Sequence, residues 1–420
     1  MRTITQLTEA LFAKDGDAPV KVALPHTWNA QDGQDGEDDG SYWRGMGSYH
    51  LDLPAPIPGT RQYIEFQGAN HVATVYCNGR EIGTHRGGFS TFRYDLTEAM
   101  TEKENILTVE VTNAPSDVYP QMADFTFFGG LYRPVRLIQV PAAHFDLLKT
   151  GTTGLFITPH VAGLVRVDAF PVNAEGCTVR VDLCDASGAV VATGTAPAEA
   201  HTVLKLQVAD PHLWNGRIDP YLYTAKATLL DGGDEMDEVT ATFGFRSFHV
   251  DSNQGFFLNG KSYPLHGVAR HQDRLDMGWA ITPKEHAEDI ALIQEVGANT
   301  IRLAHYQHDQ VFYDLCDQTG MVIWAEIPFI SRFNPSQAAH DNTISQMTEL
   351  IAQNYNHPSI CFWGISNEIT IGGETEPLYQ NLCELNALCK RLDPSRLTTM
   401  AEVSMVPMDS EQVYITDVLS

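Results

Sequence analysis

Residues 360–368 read ICFWGISNE. The run Ile360-Cys361-Phe362-Trp363-Gly364-Ile365 is apolar without alternation, which reads as a strand buried on both faces. It stops at Ser366-Asn367-Glu368, an amide beside a carboxylate. A charge at the end of a buried strand is expensive unless something uses it. The strand has companions of the same kind. YPLHGVAR (263–270), ANTIRLAHY (298–306) and MVIWAEIP (321–328) precede it, and LTTMAEV (397–403) and VYITDVL (413–419) follow. Helical segments lie between several of them. Repeated strand-helix units with buried strands imply a parallel sheet. The expectation is a (β/α)8 barrel with about six of its eight strands present, running over 250–420.

One helix is legible in detail. In TPKEHAEDIALIQEVG (282–297) Thr282 is the N-cap, Pro283 takes the first helical position and Glu285 completes a capping box. Ala287, Ile290, Ile293 and Val296 are the expected inward stripe, and Gly297 the end.

Upstream the rhythm is all β. QYIEFQGANHVATVYCNGREIGTHRGGFSTFRYDL (62–96) alternates apolar and polar residues, with a hairpin signal at Asn78-Gly79. Residues 1–142 read as a jelly-roll β-sandwich. Within them, the acidic, glycine-rich NAQDGQDGEDDGS (29–41) reads as a mobile loop. Residues 143–249 contain LVRVDAFPVNAEGCTVRVDLCDASGAVVATGTA (164–196), whose short alternating strands suggest an immunoglobulin-like sandwich. It holds no cluster of reactive side chains and reads as a spacer.

The chain has 27 Lys and Arg against 53 Asp and Glu, a formal charge of −26. That balance disfavours nucleic acid and anionic membranes as partners. MRTITQLTEALFAKDG lacks the apolar core of a secretory signal, and no run approaches the roughly 20 apolar residues of a membrane span. Seven dispersed cysteines without a CxxC pair read as free thiols in a reducing cytoplasm.

Active sites of such barrels sit at the C-terminal ends of the strands. There the first strand places Arg270, His271 and Asp273, and the second Arg302, His305 and Tyr306. The third places Glu326, and the fourth Asn367 and Glu368. Four strands thus bring charged or imidazole groups to one rim.

FWGISNE, IRLAHYQHDQVFYDLCDQTGMVIWAEIP (301–328), GVARHQD (267–273) and DFTFFGGLYRPV (124–135), together with LPHTW (24–28), resemble glycoside hydrolase family 2, the β-galactosidase and β-glucuronidase family. The resemblance implies the order jelly roll, immunoglobulin-like sandwich, barrel. It implies a retaining exo-glycosidase acting on terminal β-D-galactosides, with β-glucuronides as the alternative. A non-catalytic carbohydrate-binding protein is the reading if the chain ends at 420. By the same resemblance Glu368 is the general acid/base, in a partly buried position beside a second carboxylate that raises its pKa. Asn367 contacts the sugar 2-hydroxyl, His271 and His305 contact the sugar, and Arg302 orients and ionises the nucleophile. Asp124 reaches the barrel mouth near the sugar, with a monovalent cation there in some members. No cofactor is required. Ile330 and Arg332 stand where some members carry a glutamate and a histidine for magnesium, so no divalent metal is expected. The nucleophile, a glutamate on the seventh strand, would lie beyond residue 420. Glu402, at the end of the fifth strand, does not hold its place, and residues 1–420 alone are expected to be inactive. The partners implied are a small carbohydrate and a further copy of the chain in a homo-oligomer.

Overall fold

A computed structural model describes residues 1–32 and 42–420. Most of the acidic loop expected at 29–41 lies outside the described residues.

The N-terminal unit is a two-sheet antiparallel sandwich. One sheet has six strands in the order Val20–Ala23, Glu9–Lys14, Met46–Leu53, Asn105–Thr112, Val72–Cys77, Arg80–Arg86. The other has four, in the order Thr3–Leu7, Val135–Pro141, Thr60–Phe66, Phe92–Asp95. Alternation in the sequence becomes alternation in burial. Tyr49, Leu51 and Leu53 face inward from one strand, and Leu107, Val109 and Val111 from its neighbour. Asn78 and Gly79 make the expected two-residue hairpin, both at positive φ, 52° and 79°.

The second unit packs a three-stranded sheet (Leu155–Pro159, Leu164–Ala169, Thr202–Gln207) on a four-stranded one (Val190–Pro197, Thr178–Cys184, Tyr223–Asp231, Asp234–Phe243). Its core is Val, Leu, Ile and Ala with Tyr223, Phe243 and Phe245.

Residues Phe248–Ser262 form a three-stranded meander. Phe256, Leu258 and nearby Tyr263 cover Val322, Cys361 and Phe362, together with Trp214. The meander therefore closes the N-terminal end of the sheet that follows. That sheet has six strands among the described residues: β1 (Gly267–Arg270), β2 (Thr300–Leu303), β3 (Val322–Glu326), β4 (Ile360–Asn367), β5 (Leu397–Ala401) and β6 (Val418–Leu419). They pair in sequence order, all parallel. The helices are α1 (Pro283–Glu295), α2 (Gln310–Thr319), α3 (Gln337–Asn354) and α4 (Glu376–Leu392). Every residue of β4 is buried, as an unalternating apolar run requires.

Thr282, Pro283 and Glu285 cap α1 as read from the sequence. Its inward face differs. Ala287 and Val296 are exposed, and the buried residues are Glu285, His286 and Ile290. Ile290 and Ile293 do pack on the apolar core as expected, but the first turns of α1 cover a charged network instead. Buried Arg270 at the end of β1 donates to Asp289 at 2.6 Å and contacts Nδ1 of His286 at 3.1 Å. A polar stripe therefore faces in.

The N-terminal sandwich is fastened to α3 by polar side chains. Glu349 accepts from Ser90 and meets His85 at 3.0 Å, and Gln353 brackets the backbone of Thr91 at 2.8 and 2.9 Å. Asn342 accepts from the Tyr119 amide at 2.9 Å. The second sandwich is anchored by fully buried Trp214, whose Nε1 donates to the Asp317 carbonyl at 2.9 Å. All seven cysteines are free thiols. No helix is long and apolar enough to cross a membrane among the described residues.

Candidate active site

Parallel strands in register bring residues that are far apart in sequence to one rim. Arg302 pairs with Trp324 across β2–β3, and Trp324 with Phe362 across β3–β4. The Arg302 guanidinium stacks over the Trp324 ring at 4.3 Å. That places it between the ends of β3 and β4. Nε donates to Oε2 of Glu326 at 3.0 Å and Nη2 to Oε1 at 2.9 Å. Nη2 also donates to Oδ1 of Asn367 at 2.6 Å. Glu326 is fully buried, so its charge is held by the two-point fork that suits a carboxylate.

His305 Nδ1 lies 2.5 Å from Oε1 of the same Glu326 and 3.2 Å from Nη2 of Arg302. Nη2 has two protons and already serves Glu326 and Asn367. The proton between His305 and Glu326 therefore sits on Nδ1, which donates to the carboxylate. In the neutral ring this makes Nε2 the acceptor.

His271 complements it. Its ring lies edge-on to that of His305 with centroids 5.2 Å apart, and its Nδ1 is 3.1 Å from the Tyr306 hydroxyl. Full burial raises the Tyr306 pKa far above the usual range, so its hydroxyl stays protonated and donates. Burial, with His305 nearby, pushes His271 down to about 4 despite Asp273, Asp124 and Glu326. Neutral His271 then carries its proton on Nε2. The two imidazoles offer one donor and one acceptor, a set that matches the hydroxyl groups of a sugar.

Two sandwich residues reach this rim. Asp124 is exposed, and its charge is felt by His271. The Phe125 ring packs on His271 at 5.1 Å and on Tyr306 at 5.4 Å. The adjoining Gly129-Gly130 turn is tight for two reasons: a Cβ on Gly129 would fall 2.0 Å from the Trp28 ring, and Gly130 has φ of +124°.

Asn367 and Glu368 diverge. Asn367 is buried, joined to Phe329 and Ser331 by backbone bonds of 2.9 and 3.2 Å. Glu368 leaves the strand in the left-handed region at φ 47°, with its amide on the Ala401 carbonyl at 2.8 Å. The sequence reading placed it partly buried beside a second carboxylate. Here it is exposed, because the backbone turns out of the sheet at this residue. Its carboxylate meets no hydrogen-bond partner among the described residues. Glu402 is a separate carboxylate. Thr370 donates to it at 3.2 Å, and burial with Glu374 nearby raises its pKa.

The structure thus brings Arg302, His305 and Asn367 into one bonded cluster and sets His271 against it. Asp124, exposed, is near enough for its charge to be felt by His271, and Glu368, exposed, follows Asn367 in the chain. Glu326 was visible in the sequence as a rim residue without an assignable part. It is the hub, and the signal lay only in its place at a strand end. Gly364 in FWGISNE is a second unread feature. A Cβ there would lie 2.3 Å from Nε1 of Trp324 and 2.5 Å from Cβ of Glu326. Among the described residues Asp314, Asp317 and His357 could together face a metal ion. They lie at the other end of the sheet, where Asp317 already bonds His357 at 2.6 Å and the Ser359 amide at 3.1 Å.

Three family models match the chain in order: the glycosyl hydrolases family 2 sugar binding domain over 13–141, glycosyl hydrolases family 2 over 156–246, and the glycosyl hydrolases family 2 TIM barrel domain over 249–419. The chain is 46% identical to an FMN-binding β-glucuronidase from Facaelibacterium prausnitzii L2-6, with a TM-score of 0.96. That likeness covers 100% of this chain and 66% of that one. A putative β-galactosidase structure from Bacteroides fragilis gives 32% identity and a TM-score of 0.94, over 100% of this chain and 66% of that one. A β-glucuronidase of Bacteroides fragilis is 38% identical over 405 residues, 91% of this chain and 58% of its own length. The chain therefore spans about three fifths of the length of these relatives.

Proposed function

This chain belongs to glycosyl hydrolases family 2, and from that premise we propose that it carries the acid/base half of a retaining exo-β-glycosidase site, acting on β-glucuronides. The observation that carries the reading is the Arg302–Glu326–His305–Asn367 cluster with exposed Glu368 next in the chain to Asn367. Glu368 protonates the glycosidic oxygen as the bond breaks, then takes a proton from the incoming water. Without that proton the departing alkoxide is a poor leaving group. An exposed acid that carries no other bond is free to serve both steps. Asn367, fixed by Arg302 at 2.6 Å, presents its amide N–H groups to the 2-hydroxyl, a contact that strengthens as positive charge grows on the sugar ring. His271 donates to a neighbouring hydroxyl, and His305 accepts from one. Asp124 bounds the sugar from the sandwich side.

The choice of sugar rests on the relatives, among which β-glucuronidases are more similar than the β-galactosidases at 28% identity. β-Galactosides are the second reading, favoured by the likeness to the putative β-galactosidase structure. The test is a panel of nitrophenyl glycosides offered to the full-length gene product, since residues 1–420 alone are expected to be inactive. Preferential release from the β-glucuronide supports the proposal. Preference for the β-galactoside supports the second reading, and release from neither defeats both.

A further inference from the structure

We propose that Arg133, a residue of the N-terminal sandwich, is a positioning residue that fixes the spacing between the two loops carrying His271 and His305. Those loops leave β1 and β2 and touch directly, through the Tyr306 hydroxyl at 3.1 Å from His271 Nδ1 and the Asp309 amide on Gln272 Oε1 at 3.2 Å. Arg133 clamps both from the sandwich side. Its Nη2 donates to Oε1 of Gln272, next in the chain to His271, at 3.0 Å. The same nitrogen donates to the carbonyl of Gln307, two residues after His305, at 2.8 Å. One planar nitrogen thus serves both loops at once. Nη1 is tied back to its own sandwich through the carbonyls of Phe89 and of Gln67, the latter at 3.2 Å. Gln272 Oε1 also accepts from the Asp309 amide at 3.2 Å, and the Asp309 carboxylate lies 3.7 Å from Arg133 Nε.

Arg133 is only 4% exposed. A buried guanidinium bonded to two foreign loops is a costly way to glue domains. Interface bonds made by α3, such as those of Asn342, already do that work. What Arg133 adds is geometry: a fork whose reach cannot vary. Stacking completes the frame. The Phe89 ring lies on Tyr306 at 4.4 Å, nearly parallel, and Tyr306 holds His271. The sandwich therefore sets the sugar-facing imidazoles from behind, while Phe125 bounds them in front.

The effect on turnover rests on the glycosidase reading, but the geometry does not, and the test separates them. The whole protein is labelled with 15N in the histidine rings, and His271 is assigned with a His271→Gln variant. Arg133→Lys keeps the charge beside Asp309 and loses the fork. Arg133→Met loses both. Asn342→Ala weakens the same interface away from the rim. The groups around His271, namely His305, Asp273, Asp124 and Glu326, are unchanged in all three.

Arg133→Lys should fold and let water reach His271, moving its titration upward by about one pH unit. On a substrate the wild type hydrolyses, kcat/KM should fall about 10- to 100-fold, mostly in kcat. Asn342→Ala should lower thermal stability and leave the His271 titration in place. Folded Arg133→Lys and Arg133→Met proteins with an unmoved His271 titration would overturn the proposal. If the wild type hydrolyses no glycoside, the functional reading fails and the His271 titration still decides this one.

Discussion

Arg302 and Glu326 meet through two parallel hydrogen bonds, Nε to Oε2 and Nη2 to Oε1, although they belong to neighbouring strands 24 residues apart. The carboxylate is fully buried and the guanidinium is partly open. The pair is therefore a fixed base on which His305 and Asn367 are hung. Its energetic value differs from its geometric value, because buried pairs repay much of their Coulomb energy in desolvation.

Glu326→Gln should separate the two. Removing one charge leaves the other uncompensated, so stability should fall by on the order of 3 kcal/mol, read as a lower urea midpoint. A glutamine keeps one acceptor oxygen but turns an amide NH2 toward a donor of Arg302 or His305, so the cluster should loosen and kcat/KM should fall with the midpoint. A variant with an unchanged midpoint and unchanged kcat/KM would mean that the pair holds nothing.

Glu368→Gln should leave folding untouched, since the side chain is exposed and unbonded. Removing general acid catalysis should reduce hydrolysis about 10²- to 10⁴-fold for glycosides with poor leaving groups. Aryl glycosides whose phenols leave readily should lose less in the first step. Equal losses across a series of leaving-group pKa values would remove the acid role.

Gly364→Ala tests the packing under the site. The added methyl would overlap Trp324 and Glu326, which are held among buried neighbours. Overpacking of this kind costs about 1–3 kcal/mol. Relief requires Glu326 to move, so the thermal midpoint and kcat/KM should drop together. A fully active, stable Gly364→Ala protein would show that the rim tolerates displacement.

Acid should destabilise the fold. Burial lowers the pKa of His26, His271 and His286 to about 4 and of His71 to about 3, and puts His308 well below its ordinary value. The unfolded chain binds protons from about pH 6.5 downward while the folded chain resists. Stability therefore falls from about pH 6.5 to about pH 4, by up to roughly 1.4 kcal/mol per pH unit for each imidazole. His357 runs the other way. Asp317 raises it against the effect of burial, so its contribution is present below pH 6.5 and is lost as pH rises through the folded value. Burial lowers His144 as well, so six imidazoles outweigh His357 and Asp314, a carboxyl whose pKa burial raises to about 6. A urea midpoint that stays level from pH 7 to pH 5 would contradict this balance.

The barrel was legible because its strands are buried on both faces and therefore unalternating. Ile360–Asn367 announced itself by that alone. Asn367 stood out as an amide ending an apolar run. What could not be read were partners that depend on register. Glu326 ends its strand like any rim acid, and only the alignment of β2, β3 and β4 hands it Arg302 and His305. The stripe of α1 was half right: Ile290 and Ile293 pack inward, Ala287 and Val296 do not. Apolarity points inward only where the surface beneath is apolar, and under His286 lies Arg270. The exposure of Glu368 follows from one backbone angle, which no side-chain pattern encodes. Arg133 lies within DFTFFGGLYRPV, but its hydrogen-bond partners Gln272 and Gln307 lie in loops that the motif does not contain.

Those loops are also late. Gln272 and Gln307 are synthesised 139 and 174 residues after Arg133. At ribosomal speeds of about 5–20 residues per second, that is a delay of roughly 7–35 s. During it the sandwich can close its own core while Phe89, Phe125 and Arg133 wait without the barrel that buries them. The nascent protein thus exposes an adhesive aromatic face whose cover has yet to be translated. Mutations that slow the arrival of β1 and β2 should therefore show their harm as lost yield from the cell before they show it in the purified protein.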